Sequence, residues 1–312
     1  MINITFLGTS GSLPTKERNP SAVLFNYEGE LLLFDCGEGT QRQMMSAKTG
    51  MHNLKYIFLS HMHADHILGI PGLLQTMDFQ GRTSDLFIYG PPGVSQFIEA
   101  CDGLGLHKLK FEVHVVTLNP GDFAYHENFR VKAVRTDHGI VSLGYVFETP
   151  PRPGRFNRER AIELGVAPGP LFSKLHSGES VTLDDGRVVD PEIHGIVGPK
   201  RPGLKIVYSG DTKESESFFK EAANADLLIH ESSFTDDLAE SALEWKHSTA
   251  GGVARLSDKY KIQKLALVHI SPRYSDDPSV VLNEALKYFK NTILPNDLDT
   301  IEIFPKESYL PE

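Results

Sequence analysis

Apolar and polar positions alternate from the first residues. Ile2, Ile4 and Phe6 stand two apart with Asn3 and Thr5 between them, which predicts a strand over Ile2–Leu7. Ala22–Asn26 and Leu31–Asp35, near-continuous apolar runs, read as two further strands joined by a turn at Glu28-Gly29. A continuous apolar run, Tyr56–Leu59, reads as a buried strand. Further strands are predicted at Leu86–Tyr89, Phe111–Leu118, Arg130–Val134, Gly144–Glu148, Leu204–Tyr208, Leu227–His230, Leu265–Val268 and Ile301–Phe304. Helical spacing marks Pro71–Asp78, Val94–Asp102, Glu214–Ala223, Ser248–Tyr260 and Ser279–Lys290. Another helix follows the glycine turn after Asp35. Strands cluster in each half with helices between, which predicts an α/β protein of two sheets with helices outside, a four-layer αββα sandwich. Gly8–Pro20 is too rich in breakers for regular structure.

One segment breaks the rhythm. Between residues 150 and 200 prolines and glycines are dense and periodicity is weak, so the core is predicted from 1–149 and 201–312, with 150–200 inserted. Arg152, Arg155, Arg158 and Arg160 stand there within eleven residues against one acid, Glu159. Composition leaves two readings open, a solvated linker or a flexible arm that grips phosphates. The rest of the chain is acidic, with a formal net charge of −10, which argues against a protein that coats nucleic acid indiscriminately. It does not exclude an enzyme that acts on nucleic acid, because bound cations and a local basic patch supply the field where it is needed. No apolar run approaches the length needed to span a bilayer, and the first residues lack the pattern of a signal peptide. Cys36 and Cys101 are the only cysteines, too few for a disulfide framework; the expected setting is reducing and cytoplasmic.

The chemistry concentrates in Ser60-His61-Met62-His63-Ala64-Asp65-His66, directly after the Tyr56–Leu59 run. His61 and His63 are two apart, so an extended backbone turns both imidazoles to one side, while Asp65 and His66 reach a second point. Three imidazoles and a carboxylate suit Zn²⁺, or another divalent ion such as Mn²⁺. One ion rarely takes four ligands so tightly packed in sequence, so the cluster predicts two ions completed by ligands from elsewhere. The plain alternative is a polar loop with surface histidines.

The His61-x-His63-x-Asp65-His66 spacing resembles that of the metallo-β-lactamase superfamily. That resemblance implies a His, an Asp and a His as further ligands, each near a strand end. His138, Asp211 and His269 match, following Arg130–Val134, Leu204–Tyr208 and Leu265–Val268. Other motifs resemble one family within it, ribonuclease Z in its short form, which processes tRNA 3′ ends. They are Pro14-Thr15-Lys16-Glu17-Arg18-Asn19, the block Phe34-Asp35-Cys36-Gly37-Glu38-Gly39-Thr40-Gln41, and His247-Ser248-Thr249. The resemblance implies a zinc-dependent endoribonuclease that cuts the 3′ trailer from precursor tRNA after the discriminator base and leaves a 3′-hydroxyl. It further implies a homodimer, and an arm at 150–200 that holds tRNA through Arg152, Arg155, Arg158 and Arg160. Lys16, Arg18, Asn19, Ser248 and Thr249 become expected substrate contacts.

On this reading His61, His63 and His138 hold one ion, Asp65, His66 and His269 the other, and Asp211 bridges. Asp65 doubles as a proton acceptor. His247 is the expected proton donor to the leaving 3′ oxygen, oriented by Glu231; its plain reading is a neighbour of the cap on the following helix. Asp35 is expected to hold a ligand histidine by a hydrogen bond. His52, His107, His114, His126, His176 and His194 read as surface or satisfied structural histidines, His230 as buried structure, and Trp245 as packing for the loop that bears His247. A hydrolase of small phosphodiesters, sulfate esters or thioesters on the same fold is the alternative.

Overall fold

In the computed structural model, which describes residues 1–102 and 109–305, the predicted strands form two seven-stranded sheets. Expected His107 lies outside the described residues. The larger unit comprises Met1–Glu148 and Lys205–Phe304. Its strands in the first half are β1 (Ile2–Gly8), β2 (Ala22–Tyr27), β3 (Glu30–Phe34), β4 (Leu54–Phe58), β5 (Leu86–Gly90), β6 (Val113–Thr117), β7 (Phe123–Tyr125), β8 (Arg130–Arg135) and β9 (Leu143–Glu148). Two short strands, β10 (Val181–Thr182) and β11 (Val188–Val189), belong to the inserted segment. The second half adds β12 (Lys205–Tyr208), β13 (Leu227–Glu231), β14 (Leu265–Val268), β15 (Thr292–Ile293) and β16 (Thr300–Ile303).

The first sheet runs β16-β1-β2-β3-β4-β5-β6 and the second β15-β14-β13-β12-β9-β8-β7. In each, one side is antiparallel and the other parallel, with β3-β4-β5-β6 parallel in the first and β12-β13-β14-β15 in the second. Alternate side chains explain how the sheets pack. Phe34 and Phe58 face Tyr145 and Tyr208 across the sandwich at ring distances of 5.4–5.9 Å, and Phe25 meets Phe147 at 5.9 Å. The intervening Leu33 and Ile57 point outward, onto helices α1 (Thr40–Ser46), α3 (Ile70–Phe79) and α4 (Val94–Asp102). On the other side Val146, Val207 and Leu228 pack under α7 (Glu216–Ala222), α9 (Ala250–Lys259) and α10 (Ser279–Leu286). This is the four-layer αββα arrangement expected from strand clusters in each half with helices between.

Two local features were not expected. Asp65 and His66 sit on a one-turn helix, α2 (Ala64–Ile67), rather than in a loop, and the chain enters α3 after only two further residues. A further helix, α8 (Ala239–Trp245), leaves Trp245 66% exposed, so it does not pack the loop of His247 as expected.

The second unit, Thr149–Leu204, carries regular structure despite its composition. Helices α5 (Arg158–Glu163) and α6 (Pro170–His176) and the β10-β11 hairpin surround Ala161, Val166, Leu175, Val181, Val189 and Ile196, all buried. Asn157 caps α5 by accepting from Arg160 N–H, and backbone pairing of Arg152 with Arg201 and of Phe156 with Val197 closes its base. It is a small folded body, not a linker without structure.

Candidate metal centre

Within each sheet the strands that lead into the predicted cluster point the same way, and the cluster residues follow their carboxyl ends. The pairing makes β3 parallel to β4, and β12, β13 and β14 mutually parallel; β8, two antiparallel steps from β12, runs with it. Loops beyond these ends are where open α/β sheets place their sites. Asp35 follows β3, His61–His66 follow β4, His138 follows β8, Asp211 follows β12, Glu231 ends β13 and His269 follows β14. Asp35 and His269 both adopt left-handed backbone, at φ 56°, a sparsely populated conformation for a side chain with a Cβ. Gly210, at φ 58°, admits no larger residue, because a Cβ there would lie 2.5 Å from Ser60 Cβ.

Two donor sets result. His61 Nε2 lies 2.9 Å from His63 Nδ1, which lies 3.2 Å from His138 Nε2. In the second, Asp211 Oδ2 stands 3.4 Å from His66 Nε2 and 3.2 Å from His269 Nε2, while Asp65 Oδ2 stands 3.5 and 3.3 Å from the same nitrogens. Asp211 Oδ2 is also 3.7 Å from His61 Nε2 and 3.9 Å from His138 Nε2, so it stands between the sets. An ion that takes ligands at about 2.0–2.1 Å in a tetrahedron sets them about 3.3 Å apart. The edges of the second set fall at that spacing. Nitrogen lone pairs that converge without protons between them repel, and a cation resolves the conflict. His66 Nε2 and Asp211 Oδ1 are buried without a hydrogen-bond partner among the described residues, which fits the same conclusion.

The far nitrogen of every ring but that of His63 is fixed. His66 Nδ1 meets Asp35 Oδ2 at 2.7 Å, and Asp35 also accepts from Ser60 N–H and Oγ–H and from the Tyr208 hydroxyl. His61 Nδ1 meets Ser60 Oγ at 2.9 Å, His269 Nδ1 meets Ser233 Oγ at 2.8 Å, and His138 Nδ1 meets the Lys246 carbonyl at 3.2 Å. These partners turn Nε2 of each ring toward the centre; His63 alone turns Nδ1. Ser60 and Ser233 carry no sequence signal for this role, whereas the expected part of Asp35 is met.

Burial shapes the charges. It pushes the His61 imidazole well down, toward the neutral form a ligand needs. Asp211 and Asp65 are held below the usual carboxylate range, because facing histidines outweigh the burial that would raise them. Beside the donor sets, His247 Nδ1 lies 2.7 Å from Glu231 Oε1, with Glu231 fully buried. Burial alone would lower His247, yet the Glu231 carboxylate lifts it to about 9.

The remaining expected contacts divide. Lys16 is exposed and Asn19 half-buried. Arg18 is not available to substrate; it is 7% exposed, and its guanidinium donates to Thr9 Oγ1 at 2.5 Å, Pro295 O at 2.7 Å and Asn296 Oδ1 at 3.0 Å. Ser248 and Thr249 are likewise part of the fold. Ser248 Oγ donates to the Thr212 carbonyl, and Thr249 caps α9 by accepting from Gly252 N–H while its own hydroxyl lies 2.8 Å from Glu214 and Asp236. In the second unit Arg155, Arg158 and Arg160 are exposed and Arg152 half-buried; Arg160 pairs with Glu163 at 3.0 Å. Among the other histidines, His230 is buried, and neither its Nε2 nor that of His126, which sits in a cage of aromatic rings, has a hydrogen-bond partner among the described residues.

The loop Gly8–Pro20 borders this centre. Ser12 N–H donates to Asp65 Oδ2 at 2.9 Å, and Gly11 lies so close to His269 that a Cβ would stand 2.6 Å from its Nδ1. Among the described residues no helix is long and apolar enough to cross a membrane.

Comparison with known proteins agrees in kind. A family profile described as Anti-Pycsar protein Apyc1 matches residues 2–150. The chain is 55% identical over 312 residues to the ribonuclease Z of Methanosarcina acetivorans, with 100% of both chains covered. Among solved structures, human tRNase Z, short form, is similar at 28% identity and a TM-score of 0.68, over 96% of this chain and 99% of that one. The metallo-β-lactamase fold protein YhfI from Bacillus subtilis shares the fold at 20% identity and a TM-score of 0.68, over 97% of this chain and 100% of the other.

Proposed function

The chain belongs to the ribonuclease Z family, and from that premise we propose how its residues cut the 3′ trailer from precursor tRNA. It is a hydrolytic endoribonuclease acting on a phosphodiester bond, after the discriminator base, and the tRNA keeps a 3′-hydroxyl. The observation that supports this most is the pairing, at one edge of the sandwich, of two adjoining donor sets with a couple formed by buried Glu231 and half-buried His247.

His61, His63 and His138 would hold one divalent ion and Asp65, His66 and His269 a second, with Asp211 shared; two Zn²⁺ ions suit these nitrogen and oxygen donors best. Such a pair, when bound, lowers the pKa of a water and screens charge on the phosphoryl oxygens. Asp65, held ionised, would accept a proton from the attacking water. His247 holds the proton the leaving 3′ oxygen must receive. Its Nδ1 is engaged by Glu231, so Nε2 is the donating atom, and the carboxylate both orients the ring and favours its charged form. Lys16 and Asn19, on the loop beside Asp65, contact the RNA near the cut, and Arg152, Arg155, Arg158 and Arg160 hold tRNA away from it. The working form is a homodimer in the cytoplasm, one subunit's arm holding the tRNA that the other cuts.

The test is the reaction itself. Purified protein with divalent metal should convert a precursor tRNA carrying a 3′ trailer into a tRNA ending at the discriminator with a 3′-hydroxyl, and a 5′-phosphorylated trailer. Hydrolysis of bis(p-nitrophenyl)phosphate without cleavage of the precursor would instead support a small-ester hydrolase.

A further inference from the structure

Three charged residues that flank centre residues in the chain converge on one patch of the rim. Asp137 precedes His138, Lys213 follows Asp211 by two, and Lys246 precedes His247. Lys213 Nζ stands 2.9 Å from Asp137 Oδ2, and Lys246 Nζ stands 3.2 Å from Asp137 Oδ1 and 3.3 Å from the His138 carbonyl. The backbone below them is fixed. Lys213 N–H donates to the Asp137 carbonyl at 3.0 Å, Asp137 N–H donates to Thr212 Oγ1 at 3.0 Å, and the Lys246 carbonyl meets His138 Nδ1. Lys246 closes α8 in left-handed conformation, at φ 56°, a place where glycine or asparagine is the usual occupant.

Nothing in the two-ion reading uses this trio. Its side chains are 33%, 44% and 43% exposed for Lys213, Lys246 and Asp137, so the ion pairs face water and hold the ammonium groups only weakly. Two ammonium groups against one carboxylate leave an excess of one positive charge on a chain whose formal net charge is −10. An RNA strand brought to the centre carries phosphates on both sides of the bond that is cut, and cations fixed beside the centre are what those phosphates meet.

We propose that Lys213 and Lys246 form a phosphate clamp that binds an RNA phosphodiester neighbouring the scissile one, with Asp137 holding the two ammonium groups in place in the free enzyme. Lysine suits such a task as a compact point charge on a flexible stem, able to swing from a weak carboxylate pair to a phosphate. The carboxylate that aligns the lysines also competes with the phosphate, so the clamp gives opposite signs for the two kinds of substitution.

The clamp rests on the reading of the chain as a tRNA-cutting enzyme, and the experiment separates the two. Metal-loaded wild type, the Lys213→Ala/Lys246→Ala pair and Asp137→Asn are assayed on trailer-bearing precursor tRNA across a salt series. The lysine pair should raise KM about tenfold, change kcat less than threefold, and make log(kcat/KM) fall less steeply with log salt by about one unit. Asp137→Asn should lower KM at least twofold. Should the alanine pair not fold, Lys213→Gln with Lys246→Gln keeps most of each aliphatic stem and is read in the same way. An active wild type with unaltered KM and salt slope in the lysine variant overturns the clamp, as does Asp137→Asn raising KM, which is what a purely structural ion cluster produces. A wild type that leaves the precursor uncut overturns the underlying reading and the clamp together.

Discussion

A single carboxylate oxygen shows how far the centre depends on one residue. Asp211 Oδ2 lies within 3.9 Å of donor nitrogens from both sets, and the opposing oxygen is buried without a partner among the described residues. Asp211→Ala should therefore reduce bound metal from about two ions per chain to one or none, by elemental analysis of protein dialysed against trace zinc. Two ions retained in that variant would show that Asp211 does not join the sets. His247 permits a sharper test, because its proposed role concerns the leaving group alone. His247→Ala should lower turnover on precursor tRNA by about 10²–10⁴ with metal content unchanged, and should cost far less on a p-nitrophenyl diester, whose leaving group departs unprotonated. Equal losses on both substrates would assign His247 another task. The local His61–His66 cluster was legible from its own spacing, whereas His138, Asp211 and His269 entered through the family resemblance, which the strands before them matched. Ser60 and Ser233 were not legible, since a serine that orients a histidine is identified only by what folds against it.

Elements read well where they were long enough to show a pattern. β1 was legible from its alternation, and β2, β3 and the parallel strands from short apolar runs bounded by turn residues or polar residues. The second unit was not, for its helices span six and seven residues and its strands two. Polarity misled at Arg18, where a charged residue in a breaker-rich loop suggested a contact for phosphate. Its guanidinium instead ties the Gly8–Pro20 loop to the segment before β16, close to Asp297 and Asp299. Arg18→Met should lower stability by about 3 kcal/mol in urea unfolding, since it leaves buried acceptors without their donor. A raised KM for precursor tRNA with unchanged stability would restore the substrate contact. His126, on the turn between β7 and β8, gives a test in pH. Its ring lies 4.1 Å from that of Tyr56 and 4.6 Å from that of Phe129, and burial lowers it to about 4. The unfolded chain takes up that proton near pH 6.5, so the stability this ring contributes is present above 6.5 and is lost as pH falls toward 4. His126→Phe should lose less stability than the parent over that window. Parallel curves for the two proteins would rule the ring out as a source of the pH dependence.

At the scale of the whole molecule an acidic protein must bind a polyanion, and charge has to be local to do it. The second unit is the other place where cations gather, and its own core frees its surface from a structural task. Arg155, Arg158 and Arg160 are exposed; Arg160 meets Glu163 at 3.0 Å and the His194 carbonyl at 3.3 Å, and Arg152 lies 3.5 Å from the Pro202 carbonyl. None of the four belongs to the cluster formed by Ala161, Val166, Leu175, Val181, Val189 and Ile196, so replacing them should leave that body folded. If the unit holds tRNA, Arg155→Ala with Arg158→Ala should raise KM for precursor tRNA several-fold and make its salt dependence shallower, since fewer counterions are released on binding. Adding Arg152→Ala and Arg160→Ala should extend the effect in the same direction. The same substitutions should hardly change KM for a minimal substrate that keeps the acceptor stem and trailer but lacks the rest of the tRNA. A KM that stays fixed for the full precursor in the folded, metal-loaded quadruple variant would remove the second unit from tRNA binding and leave recognition to the rim of the centre.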